Sequence, residues 1–287
     1  MLAVKTGSRD IDRQGNTIMK TLIHFGCSFA MGNAVPEYVT GLESGTYIHS
    51  NSENKQAFEN KYNLKVGQPI SCGMEIADNL GYRHKRVAEN GASNEMVFRN
   101  LLQTDLHKSF VLIGLTSHKR REALTTKDNK SHWHTCMYDG IFWFCRDTRK
   151  MAEPSDRPKY NPKYKTLPFA AWEEYTPAIE EDGQIRTLIQ ILYMQSYLKS
   201  KGVPYLIFNA LYNGFDMPLT KECKKLIDMV DQKHFFRLQG TAENTQHGWC
   251  LNKKLVVSDL DVHPNIQGQK AWANKLLPQI KEIINEG

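Results

Sequence analysis

Five short runs of β-strand character, separated by segments of helical periodicity, decide what this chain can fold into. The strand-like runs are 20–25 (KTLIHF), 84–88 (HKRVA), 109–115 (SFVLIGL), 203–209 (VPYLIFN) and a weaker 234–238 (HFFRL). Helical periodicity is read over 71–80, 94–107, 184–201, 218–230 and 267–286. In the last of these, Trp272, Leu276, Leu277, Ile280, Ile283 and Ile284 recur at three- and four-residue steps and build one apolar stripe. Strands alternating with helices predict βαβ crossovers and a parallel sheet covered on both faces, an α/β architecture. Open sheets of this kind gather ligands beyond the C-terminal ends of their strands. The residues just after each strand are therefore where chemistry is expected.

A chain of 287 residues, 40% hydrophobic and 24% charged, can build one large core. The expectation is a single domain over 1–287, with a polar N-terminal arm at 1–18 and an insertion at 118–183. No run reaches the roughly 18 apolar residues of a membrane span. The start, "MLAVKTGSRDIDRQGNTIM", lacks the apolar stretch of a signal peptide. A cytoplasmic protein is expected, without membrane contact, and its six scattered cysteines are expected to be reduced thiols. The net charge of +6 is partly local, because residues 146–165 carry seven basic and three acidic side chains among tyrosines and prolines. A solvated loop is the favoured reading there over a nucleic-acid surface.

The insertion interrupts the alternation with Trp133, Phe142, Trp143, Phe144 and Trp172 among charges and prolines. Aromatic residues need burial, so a lid over a site and a subdomain that buttresses the fold are equally weighted. His132, His134 and Cys136 invite a metal reading, but no further ligand follows at metal-site spacing. No phosphate-binding glycine loop occurs either. Neither metal nor cofactor is expected.

Four clusters follow the strands. Gly26-Cys27-Ser28-Phe29-Ala30 ends the first run, and "NGASNE", with Gly91, Ser93 and Asn94, follows the second. Gly114-Leu115-Thr116-Ser117 ends the third, and "SDLDVHPNIQGQKAWA", with Asp259, Asp261 and His263, opens the last helix. A parallel sheet would bring all four to one rim. A serine hydroxyl is a weak nucleophile until a base takes its proton. A histidine base needs a group that fixes its tautomer, and the developing oxyanion needs preorganised donors. Ser28 N–H, Gly91 N–H and a side chain after the third strand could supply them.

On these four blocks the chain resembles the SGNH (GDSL-type) serine hydrolases, with a flavour similar to phage-encoded members. "FGCSFAMG" stands where that superfamily has its GDS serine, "NGASN" where it has the oxyanion glycine, "IGLTS" at its GxND block and "DVHPN" at its DxxHP block. The resemblance implies a flavodoxin-like three-layer α/β/α sandwich with a mostly parallel five-stranded sheet. It also implies hydrolysis of an ester through an acyl-serine, with Ser28 as nucleophile, His263 as base and Gly91 as an oxyanion donor. Two departures stand out. The GxND asparagine falls on Thr116, so Thr116, Ser117 or Asn94 would have to substitute. Leu260 occupies the acid position, leaving Asp261, or else Asp259, to orient the histidine.

Cys27 is the rival nucleophile, since a thiolate is more reactive than a hydroxyl. Adjacent strand residues point to opposite faces, however, which favours a buried thiol beneath the rim. An α/β-hydrolase would place its serine after several strands and keep its acid and histidine apart, unlike this order. The expected partner is a small-molecule or glycan ester. The other reading is a structural or binding protein, such as a phage virion component in a larger or homo-oligomeric assembly, that keeps the fold around a degraded site.

Overall fold

The structure, a computed structural model, describes residues 20–32, 70–89, 92–127, 130–138, 143–146, 179–211, 213, 215, 220–256 and 262–286. In chain order the elements are β1 (Thr21–Gly26), α1 (Ser28–Met31), α2 (Cys72–Leu80), β2 (Arg83–Ala88), α3 (Asn94–Gln103) and β3 (Ser109–Leu115). Three further strands follow, β4 (Arg120–Lys127), β5 (Lys130–Tyr138) and β6 (Trp143–Arg146). The chain then runs through α4 (Ile179–Ser200), β7 (Tyr205–Asn209), α5 (Lys221–Met229), β8 (Phe235–Phe236), α6 (Gln246–Asn252) and α7 (Ile266–Glu286).

Strands β2-β1-β3-β7-β8 form one five-stranded sheet in that order, parallel throughout. Alternate residues of each strand feed two separate cores, as the two-residue period of a strand requires. Leu22, Phe110, Leu112, Leu206 and Phe208 pack with Ile76 of α2 and with Trp272, Leu276 and Ile280 of α7. Ile23, Phe25, Val111, Ile113, Tyr205 and Ile207 pack with Val97 of α3, Leu188, Ile191 and Leu198 of α4 and Ile227 of α5. The result is the α/β/α sandwich, with each fully buried Leu, Ile or Phe contributing roughly 1.5–3 kcal/mol of transfer free energy. Pairing of Phe25 with Ile113 and of Leu115 with Asn209 brings the C-terminal ends of β1, β3 and β7 to one edge.

Several boundaries differ from the sequence expectation for local reasons. Helix α3 stops at Gln103 rather than 107, because Thr104 turns extended and Asp105 Oδ1 accepts from His107 N at 3.0 Å, shaping a turn. Lys108 then enters β3 with φ +52°. Helix α4 begins at Ile179, five residues earlier than 184; the exposed Glu181 and Asp182 near its start suit the positive end of a helix dipole. Within 118–183, β4, β5 and β6 form a separate antiparallel sheet that the alternation argument did not anticipate. Trp133 lies on β5, and Trp143 and Phe144 on β6. Phe142, Trp172, the arm at 1–18 and most of the basic stretch at 146–165 lie outside the described residues.

Candidate active site

Strand β1 delivers Ser28 to the edge of the sheet through a glycine that the geometry requires. Gly26 has φ +157°, and a Cβ there would meet Ala30 Cβ at 2.8 Å and the Gly114 carbonyl oxygen at 3.1 Å. Only a residue without a side chain lets the chain turn tightly into α1 while passing β3. Cys27 occupies the N-cap position of α1. Its side chain is fully buried in the core on the α2/α7 side, while Ser28 begins the helix.

The other partner comes from the far end of the chain. Ser28 Oγ and His263 Nε2 are 2.9 Å apart across 235 residues of sequence. With the ring proton on Nδ1, Nε2 accepts from the serine hydroxyl, the arrangement a base needs in order to activate it. Residue Asn265 fixes the backbone beside His263. Its Oδ1 accepts from Gly268 N at 2.8 Å, capping α7, and its Nδ2 donates to Val256 O at 3.0 Å. Val256 and Pro264 meet in an antiparallel bridge, which draws together the two ends of the connection holding Asp259, Asp261 and His263. Gly268 makes the close approach tolerable, since a Cβ there would lie 2.3 Å from Leu255 O.

The Phe29 ring lies against the His263 imidazole, with its centroid 4.9 Å from that of His263 and tilted by 35°. A second histidine reaches the same ring. His247, near the start of α6, meets Phe29 edge-on at 5.9 Å, and its backbone N–H donates to Ala210 O, at the end of β7, at 3.0 Å. Burial, reinforced by the neighbouring His263, lowers the pKa of the His247 imidazole below its usual value. Sequence reading missed His247, which follows no strand and sits in the unremarkable stretch "TQHGWC". Its placement becomes visible only once α6 is seen tied to β7.

The oxyanion candidates fare differently. Asn94 is buried, and its Oδ1 accepts from Thr116 N at 2.8 Å. Its Nδ2 donates to Thr116 O at 3.2 Å and faces Thr187 Oγ1 at 3.5 Å. Asn94 thus does not offer an amide to the rim; it fastens the turn after β3 to the start of α3. Arg186 adds to the fastening, with Nε 3.0 Å from Glu95 Oε1 and an η nitrogen donating to His118 O at 3.0 Å. Thr116 is fully buried, and its Oγ1 has no hydrogen-bond partner among the described residues. Ser117 Oγ accepts from Lys119 N at 3.2 Å and keeps its hydroxyl proton for donation. Gly91, Asp259 and Asp261 lie outside the described residues. Replacing Asn94 with leucine is expected to strand the N–H and C=O of Thr116 in the interior. At about 1–3 kcal/mol for each unsatisfied group, urea unfolding should show a loss of roughly 2–6 kcal/mol.

His132, His134 and Cys136 occupy alternate positions of β5, opposite Thr125, Ala123 and Arg121 of β4. Among the described residues no group of three His, Cys, Asp or Glu side chains could hold a metal ion, and no helix is long and apolar enough to cross a membrane.

No protein-family model matches the chain, and no curated protein matches its sequence. Among solved structures it is similar to a carbohydrate esterase whose active site displays divergent catalytic and non-catalytic binding functions. That match has 12% identity and TM-score 0.39 and covers 95% of this chain and 69% of the other. It is also similar to a carbohydrate esterase family 2 enzyme with a carbohydrate-binding domain from Corynascus thermopiles (Myceliophthora fergusii), at 13% identity and TM-score 0.40 over 98% and 69% of the two chains. A third similar structure is a protein of the G-D-S-L lipolytic family from Desulfitobacterium hafniense, at 9% identity and TM-score 0.37 over 91% and 99%. Likenesses this distant leave the question of activity to the geometry of the site.

Proposed function

We propose that this chain is an SGNH-type serine hydrolase that cleaves esters through an acyl-serine at Ser28. The 2.9 Å contact between Ser28 Oγ and His263 Nε2 carries this reading. In the proposed reaction His263 Nε2 takes the hydroxyl proton as Ser28 Oγ attacks the ester carbonyl. The N–H groups of Ser28 and Gly91 with the hydroxyl of Ser117 receive the negative charge of the tetrahedral intermediate. The imidazolium then protonates the departing alcohol, leaving Ser28 acylated. Water, activated by the same imidazole, releases the acid and restores the serine. Asp261 or Asp259 holds Nδ1–H and so keeps the base in the productive tautomer.

An acylated glycan is the substrate class proposed, because the 118–183 segment is rich in tryptophan and tyrosine, whose flat faces suit sugar rings. The rival reading, a structural or virion protein with a degraded site, draws on Asn94, whose amide is committed to the Thr116 backbone. A fluorophosphonate probe separates the two. Stoichiometric modification of the peptide carrying Ser28, with turnover of a short-chain aryl ester, is the expected result. A wild-type protein that takes no label and turns over no ester would establish the rival.

A further inference from the structure

We propose that Gln269 is a positioning residue that couples the nucleophile to its base through Phe29; this role rests on the serine-hydrolase reading above. Gln269 lies on the buried face of α7, in line with Trp272, Ala273 and Leu276, and is 1% exposed. An amide among apolar side chains is costly unless its groups are paired. Here they are paired on both sides. The Oε1 oxygen accepts from Cys72 N at 2.9 Å and from Gln246 Nε2 at 3.0 Å, while Nε2 donates to Phe29 O at 3.1 Å. The Cys72 N–H at one end and the Phe29 carbonyl at the other fix its orientation, since a flipped amide would set NH2 against a backbone donor and oxygen against a backbone acceptor. The group aimed at Phe29 must therefore be the donor.

Phe29 is the residue on which this bond acts most usefully. It directly follows Ser28 in a helix of four residues, too short to satisfy its own last carbonyls. Its backbone is held by Gln269, and its ring lies against His263. One side chain thus sets both the turn that presents Ser28 and the surface on which the imidazole rests. The same amide reaches the first residue of α2 and the first residue of α6, next to His247. Four elements that meet at the site, α1, α2, α6 and α7, share a single hydrogen-bonding centre.

A displacement of about 1 Å between reacting groups can cost a hundredfold in rate. Gln269→Leu keeps the volume and removes every bond, so phosphonylation of Ser28 and ester turnover per folded molecule should fall roughly ten- to hundredfold, with KM nearly unchanged. Gln269→Glu supplies the finer readout. Ionised, it cannot donate to Phe29 O; protonated, it regains a donor on one oxygen and an acceptor on the other. Its activity relative to wild type should rise as the pH falls from 8 to 6, while the relative activity of Gln269→Leu stays flat. A crystal structure of Gln269→Leu, expected to show the Ser28–His263 contact lengthened, reads the positioning without reference to activity. An unlabelled wild type would remove the hydrolase reading, and the Ser28–His263 distance would still decide the coupling. Rates per folded molecule within twofold of wild type in both variants, or an unchanged distance, would overturn the role of Gln269.

Discussion

Ser28→Ala is expected to abolish both probe labelling and ester turnover. In serine hydrolases that work through a Ser–His pair, removing either member costs on the order of 10⁴–10⁶ in kcat. His263→Ala should cost about as much, and the double variant little more, because the two groups act as one unit across their 2.9 Å contact. Cys27→Ala, by contrast, alters a thiol sealed in the core and should retain labelling at Ser28. Loss of label in that variant with its retention in Ser28→Ala would transfer the nucleophile to sulfur. The same assay identifies the acid. Of Asp259→Asn and Asp261→Asn, one should lower kcat by about 10⁴ and the other only a few-fold. Equal, mild effects would mean that neither carboxylate orients the base.

Acid should unfold this protein earlier than its carboxylates alone would dictate. His24 stands in the middle of β1 among apolar neighbours, fully buried, and neither ring nitrogen has a hydrogen-bond partner among the described residues. The backbone of α2 presses so closely that a Cβ on Gly73 would lie 2.3 Å from its Nδ1. Burial, and then the nearby His84 and Arg86, push its pKa well below that of an ordinary histidine. Burial and then Arg86 pull His84 down to about 4. Both groups bind a proton more readily in the unfolded chain, where the histidine pKa is about 6.5. Stability is therefore complete above roughly pH 6.5 and is lost as the pH falls below it. For His84 the gap from 6.5 to about 4, at about 1.4 kcal/mol per pH unit, amounts to about 3 kcal/mol by pH 4. His24 adds to this loss. Urea unfolding should show level stability between pH 7.5 and 6.5 and a decline from there to pH 5, before most carboxylates titrate, that His24→Leu makes shallower. A slope identical in wild type and His24→Leu would refute the assignment to His24.

The parallel sheet was legible because its signal is local and repeated. Apolar runs such as "SFVLIGL" are buried on both faces, and the helices between them carry single apolar stripes. Three of the helix starts are closed by capping side chains, with Ser71, Ser93 and Thr220 each accepting a hydrogen bond from the backbone three residues on. The strands β4 to β6 were not legible, since Arg120–Lys127 reads "RREALTTK", polar and without clean alternation. The contact between Ser28 and His263 was legible because each follows a strand or precedes a helix within a recognisable block. Asn94 stands among the oxyanion candidates with Thr116 and Ser117 because residue type says what a side chain can donate and nothing about where its amide is already engaged. His247 and Gln269 escaped for the complementary reason. Their partners are tens to hundreds of residues away, and neither lies in a stretch that local chemistry marks.

The bridge between Val256 and Pro264, with Asn265 holding both the end of that span and the cap of α7, pins the backbone that carries His263. Its two anchor points are set by backbone pairing and one amide, so Asp259→Asn and Asp261→Asn should leave His263 in place and report only on the orientation of its ring. Pro264 and the helix start would go on presenting the base to Ser28 from the same place.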